Sequence, residues 1–231
     1  GFRVYKMRVI DPDTVSDLIK SFNKKFKNRM QLIVDAVQGS SANPWATKVS
    51  INLAKKLERE EIIFLEEPCR VENLNGYKEI KKYSTLNIAG AESIPTARAF
   101  KKYLEEDVFD VLQFDIATSG FIEGRRICDL AYIHNKPVAI HSWGSAISIM
   151  AGIHLGLTVP NVAFTEYCFM EHPINKELFE NKKIEIINGC TPKPNSNGLG
   201  VLFKDVLSKK FQYKEKINTM ISTHNDEIKL K

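Results

Sequence analysis

Seven short apolar runs recur along the chain, and each carries an ionisable residue toward its C-terminal tip. They are FRVYKMRV (2–9), QLIVDAV (31–37), IIFLEE (62–67), TLNIAGAE (85–92), FDVLQFD (109–115), PVAIHS (137–142) and VAFTEY (162–167). Several are rich in β-branched or aromatic residues, and they lack the strict apolar–polar alternation of a half-exposed strand. That pattern suits strands buried on both faces, as in a parallel sheet. Between the runs lie segments of helical spacing. TVSDLIKSFNKKF (14–26) begins on a capping residue, and PTARAFKKYLEE (95–106) opens with proline. GRRICDLAYIHN (124–135) and SAISIMAGIHLGL (145–157) follow, the latter apolar almost all round and therefore expected to be buried.

Strand and helix repeated with one period predict an α/β fold. So many similar units favour a TIM-type (β/α) barrel over an open sheet. A doubly wound sheet would need a glycine-rich phosphate loop after an early strand, and the sequence has none. The residues at the tips of the runs are Lys6, Asp35, Glu66, Glu92, Asp115, His141 and Glu166, separated by 23 to 31 residues. Strand ends of such a barrel converge on one face, where active sites form. A ring of carboxylates with one His and one Lys would repel itself without a cation, so the pattern implies a metal.

Bulk composition excludes several classes. With 43% hydrophobic and 26% charged residues in 231, the chain has an ordinary globular make-up. The net charge of +5 is spread along the chain in lysine pairs, a distribution that predicts solubility rather than nucleic-acid binding. No apolar run reaches membrane-spanning length, and Gly1 to Ile10 lacks a signal-peptide pattern, so a cytoplasmic protein without membrane partners is expected. Cys69, Cys128, Cys168 and Cys190 are widely spaced with no C-x-x-C, which predicts reduced thiols rather than disulfides or a zinc site.

The ordered set KMR (6–8), VDAVQG (34–39), FLEEP (64–68), AGAES (89–93), LQFD (112–115) with SGFIEG (119–124), and AIHSWGSA (139–146) resembles the enolase superfamily. Within it, the chain resembles the mandelate racemase / muconate lactonizing enzyme group, over about residues 1 to 204 and ending in NGLGV (197–201). The resemblance implies a (β/α)7β barrel of which residues 1–168 supply strands 2 to 8. The first strand-helix unit and the N-terminal capping domain are expected to lie outside this chain, contributed by a longer natural protein or by another chain. Residues 169–231 are expected to form a C-terminal segment wrapping back toward the capping domain, with one or two surface helices after Val201.

The resemblance also implies chemistry: abstraction of a proton next to a carboxylate, through an enediolate stabilised by Mg²⁺. By position the metal ligands are Asp35, Glu66 and Glu92. His141 is the expected base, paired with Asp115 as in the His-Asp dyad of the racemase subgroup; Lys6 is a second candidate acid or base. Arg8 is expected to bind the substrate carboxylate or to lower the Lys6 pKa. Glu166 is expected to donate a hydrogen bond to the substrate carboxylate, and Trp143 to wall the pocket. Glu67 is expected to act behind the ligands, steadying Lys6 or Arg8, with Pro68 ending the strand. Two departures stand out: the group's Asp-x-Asn reads Asp35-Ala36-Val37 here, and the second Lys of its Lys-x-Lys is Arg8, which cannot serve as a base at ordinary pH.

The leading expectation is a Mg²⁺-dependent acid-sugar dehydratase that is a homo-oligomer. A racemase, epimerase or cycloisomerase of a carboxylic acid is the alternative within the same chemistry. A non-catalytic barrel fragment or ligand-binding protein is the alternative of another class.

Overall fold

The computed structural model describes residues 1–26, 29–170, 172–179 and 184–212. Seven strands form one parallel sheet in chain order: β1 (Val4–Arg8), β2 (Gln31–Asp35), β3 (Ile62–Glu66), β4 (Ile88–Gly90), β5 (Val111–Asp115), β6 (Val138–His141) and β7 (Val162–Thr165). Helices alternate with them: α1 (Val15–Phe26), α2 (Thr47–Leu57), α3 (Leu74–Tyr83), α4 (Ala97–Glu105), α5 (Ile116–Ile133) and α6 (Ala146–Gly156). Two short helices follow, α7 (Pro173–Leu178) and α8 (Asp205–Lys210). This is the expected TIM-type barrel in incomplete form, since each strand pairs with its sequence neighbour and no pairing joins β7 to β1 among the described residues.

Two separate apolar layers explain why the runs do not alternate. One layer lies inside the curl of the sheet and takes Val4, Ile33, Phe64, Ala89, Val111, Ala139 and Phe164, a residue from every strand. Small Ala89 and Ala139 leave room for Phe64 and Phe164, whose rings meet edge-on at 6.4 Å, so β3 and β7 touch through the interior. The residues of opposite parity, such as Val34, Leu65, Ile88, Leu112, Phe114 and Ile140, face outward into the core shared with the helices. There Tyr77, Tyr103 and Phe109 are buried as one aromatic stack, with ring centroids 4.8 and 5.5 Å apart.

Helix starts follow from local chemistry. Thr96 caps α4 by accepting from Ala99 N, and Asn73 caps α3 by accepting from Gly76 N. α5 begins at Ile116, eight residues earlier than its spacing predicts, with Asp115 as its cap, and is kinked at Gly120, whose φ of 65° belongs to the left-handed region that glycine tolerates. Behind β7 the chain returns to its own start: Gly189 N donates to Gly1 O at 2.6 Å, and Arg3 Nη2 donates to Asn188 Oδ1 at 3.0 Å. Of the expected surface helices after Val201, α8 is present, and residues 213–231 lie outside the described residues. Cys69, Cys128 and Cys168 are buried free thiols and Cys190 is an exposed one. No described helix is long and apolar enough to cross a membrane.

Removing the centre of the aromatic stack tests this layering. Phe109→Ala should destabilise the chain by about 3–5 kcal/mol, read as the shift in a denaturant midpoint, whereas Tyr132→Ala on the exposed face of α5 should leave it nearly unchanged.

Candidate active site

The strand parity that builds the inner apolar layer also builds the layer above it. Two residues beyond Val4, Ile33, Phe64, Ala139 and Phe164 come Lys6, Asp35, Glu66, His141 and Glu166, and four beyond Val111 comes Asp115. All six therefore face the interior, stacked on the apolar layer at the mouth. Glu92 does not fit that parity, because it stands three residues after Ala89. The intervening Ala91 has φ 83°, and this left-handed step reverses the alternation so that Glu92 reaches the ring as well. Val37 and Glu67 are left-handed too, at φ 54° and 42°. Non-glycine residues in this conformation are uncommon, and for β-branched Val37 it is strained; their clustering at one mouth is typical of a functional site.

The interactions at the mouth span the unpaired gap between β1 and β7. Lys6 Nζ lies 2.7 Å from Glu66 Oε1 and 2.8 Å from Glu166 Oε1, joining β1 to β3 and to the end of β7. Burial disfavours the Lys6 charge, but Glu66, Glu166 and Asp35 more than offset it, and its pKa stands well above the ordinary lysine range. Arg8 Nε is 3.5 Å from Asp35 Oδ2, and its guanidinium lies 5.0 Å from the Trp143 ring centroid. That cation–π contact links β1 to the loop after β6 across the mouth.

Asp115 and His141 form the dyad geometry. They are register partners on β5 and β6, and His141 Nδ1 is 2.7 Å from Asp115 Oδ2. Asp115 Oδ1 meanwhile accepts from Thr118 N at 2.7 Å, so the helix start holds the carboxylate that holds the ring. With Nδ1 so engaged, Nε2 faces the interior, 3.3 Å from Glu92 Oε2 and 3.4 Å from Glu166 Oε2. Burial lowers the His141 pKa, yet the Asp115 hydrogen bond and the charges of Glu92 and Glu166 prevail and push it up to about 9. Glu166 stays below the ordinary carboxylate range despite burial, because Lys6, His141 and Ser142 N all meet it.

The carboxylates Asp35, Glu66 and Glu92 come from three successive strand ends, with Asp35 and Glu66 in register. Burial, set against Lys6 and reinforced by Asp35, pushes Glu66 up to about 7. Its Oε2 is buried with no hydrogen-bond partner among the described residues. Hard oxygen donors, mutual repulsion and an orphaned buried oxygen fit a hard divalent cation. As the side chains stand, no three His, Cys, Asp or Glu groups among the described residues converge closely enough to hold an ion. Lys6 takes Glu66 Oε1 and Arg8 approaches Asp35, while Glu66 Oε2 stays open.

Glu67 is the residue whose position departs most from expectation. Its left-handed backbone turns the side chain toward Gly39 and Gly90, and no ion pair joins it to Lys6 or Arg8 among the described residues. One inward residue escaped the sequence reading altogether: Gln113, buried at 4% exposure, lies beside Glu66. Its place two residues before Asp115, on the inward parity of β5, was the available signal.

An enolase C-terminal domain-like family model matches residues 1–206. The chain belongs to that family. A D-galactonate dehydratase family member, RspA of Pantoea ananatis, is 26% identical over 87% of this chain and 48% of its own length. Arabinonate dehydratase of Saccharolobus solfataricus is 23% identical over 93% of this chain and 56% of its own. The chain thus spans about half the length of the curated relatives it matches. Among solved structures, the 3,6-anhydro-D-galactonate cycloisomerase from Zobellia galactanivorans superposes with a TM-score of 0.79 at 29% identity, covering 93% of this chain and 60% of that one.

The dyad makes stability depend on pH. The folded His141 pKa of about 9 lies above the ordinary value of about 6.5. The His141 contribution is therefore complete below about pH 6.5 and is lost as pH rises through about 9, while that of Asp115, whose pKa is lowered, is lost only in acid. Asp115→Asn keeps an acceptor for Thr118 N but removes the charge. With a chelator present, it should lower the thermal midpoint at pH 6 clearly more than at pH 10, and an NMR titration should find the His141 pKa reduced.

Proposed function

We propose that this chain carries the barrel of a Mg²⁺-dependent enzyme that removes the proton α to a substrate carboxylate and dehydrates an acid sugar. The observation that carries this reading is the His141–Asp115 dyad with Nε2 turned toward Glu92 and Glu166 at the mouth. Asp35, Glu66 and Glu92 would hold the divalent ion, which when bound supplies positive charge against the enediolate that forms as the α-proton leaves.

The remaining steps belong to side chains of this chain. Asp115 fixes the His141 tautomer, and the charges of Glu92 and Glu166 hold the ring protonated; once those two carboxylates are engaged by cation and substrate, neutral Nε2 takes the α-proton while the C–H electron pair enters the enediolate. Those electrons then form the Cα–Cβ double bond as the β-carbon–oxygen bond breaks. The departing hydroxide takes the proton from His141 Nε2 and leaves as water, and the enol product tautomerises to a 2-keto acid. Lys6, whose ammonium is held charged by Glu66 and Glu166, serves as a fixed cation near the developing charge rather than as the base. Arg8 binds the charge of the substrate carboxylate, Glu166, ionised between Lys6 and His141, positions those two groups rather than donating a hydrogen bond, and Trp143 covers Arg8 at the rim.

The dehydratase names among the relatives support this choice of reaction. Cycloisomerisation is the second reading, favoured by the named activity of the 29%-identical solved structure. It shares the proton abstraction and expels an internal oxygen in place of hydroxide. Small carboxylate substrates, and no nucleic acid or membrane, are the partners this chemistry needs; a homo-oligomer in the cytoplasm is part of the same proposal.

A panel of mono- and diacid sugars, incubated with Mg²⁺ and assayed for 2-keto acid, tests the proposal. His141→Asn should lower turnover by about 10²–10⁴-fold while leaving the affinity for Mg²⁺ nearly unchanged. Wild-type turnover in that variant would end the assignment of His141 as the base.

A further inference from the structure

Glu67 is a buried carboxylate outside the ring of charges, and its surroundings are specific. Its N–H donates to Ala89 O at 2.9 Å and its carbonyl accepts from Gln38 N at 2.9 Å, pinning the residue between the ends of β2 and β4. Its carboxylate fills the space in front of Gly39, where any Cβ would fall inside the carboxyl group. On the other side, a Cβ on Gly90 would lie 3.4 Å from Glu67 Cγ and 3.0 Å from the Phe109 ring. Glu67 is only 4% exposed, and its Oε1 has no hydrogen-bond partner among the described residues.

We propose that Glu67 is the positioning residue of the carboxylate ring, a wedge seated between Gly39 and Gly90 that fixes the spacing of the strand ends carrying Asp35, Glu66 and Glu92. The proposal rests on the reading of those three residues as cation ligands. Its basis is placement. Gly39 lies shortly beyond Asp35, Gly90 lies just before Glu92, and Glu67 adjoins Glu66, so one side chain bears on all three ligand segments. The left-handed backbone at Val37, Glu67 and Ala91 shows that each segment is bent at this level, and bent strand ends need a lateral stop to hold their side chains in one arrangement. Two glycines empty the slot that Glu67 fills. Groups behind metal ligands act in this way, orienting ligands without touching the ion.

A double-substitution cycle read by Mn²⁺ binding tests this, using the electron paramagnetic resonance signal of free Mn²⁺ with wild type, Glu66→Gln, Glu67→Ala, Glu67→Gln, Gly39→Ala and Gly39→Ala/Glu67→Ala. Glu67→Ala and Gly39→Ala should each weaken Mn²⁺ binding by about 10–100-fold, and Glu67→Gln, which keeps the shape, should stay close to wild type. Adding Gly39→Ala to Glu67→Ala should cost little more, because the clash is then gone. Wild-type affinity in Glu67→Ala, or an equal Gly39→Ala penalty in both backgrounds, would overturn the proposal. If Glu66→Gln abolishes binding and Glu67→Ala does not, only the wedge fails; if Glu66→Gln binds Mn²⁺ like wild type, the ligand reading fails and takes the wedge with it. Should Gly39→Ala alone not fold, the same cycle is read by thermal unfolding, where recovery in the double variant supports the wedge and its absence overturns it.

Discussion

The ion pairs of Lys6 with Glu66 and Glu166 hold the mouth of this barrel together. The sheet has no hydrogen-bonded pairing between β7 and β1 among the described residues, yet Lys6 on β1 reaches the strand-end carboxylates of β3 and β7. Unpaired, those buried carboxylates would impose a heavy desolvation cost, which the single charge of Lys6 offsets in part. Lys6 satisfies one oxygen of Glu66 and leaves the other without a partner among the described residues.

Most of this was legible in the sequence because one rule, the two-residue alternation of a strand, governs both layers. The apolar layer of Ile33, Phe64, Ala139 and Phe164 and the ionisable layer two residues later are a single pattern seen at two heights. The period of the runs gave the parallel order, and the identity of the tip residues gave the dyad. Asp115 and His141 could be paired in advance because adjacent parallel strands bring equivalent ends into register.

What escaped the sequence depends on backbone conformations that side-chain identity does not announce. Glu92 was named as a ring member, but the left-handed step at Ala91 that brings it there was not, and nothing about alanine signals one. Glu67 was expected beside Lys6 or Arg8, whereas its own positive φ sends it toward Gly39 and Gly90. Its placement could have been suspected only by asking what two glycines at neighbouring strand ends leave room for. The early start of α5 escaped for a related reason, since Asp115 both caps the helix and orients His141, and Gly120 masks the continuity behind a kink.

The central proposal is that Asp35, Glu66 and Glu92 gather around a divalent cation, Glu66 through the oxygen that Lys6 leaves open. Anomalous diffraction from a crystal of this chain grown with Mn²⁺ tests it most directly. The expected result is one strong peak within coordinating reach of all three carboxylates. A crystal at saturating Mn²⁺ with no peak there would contradict the account.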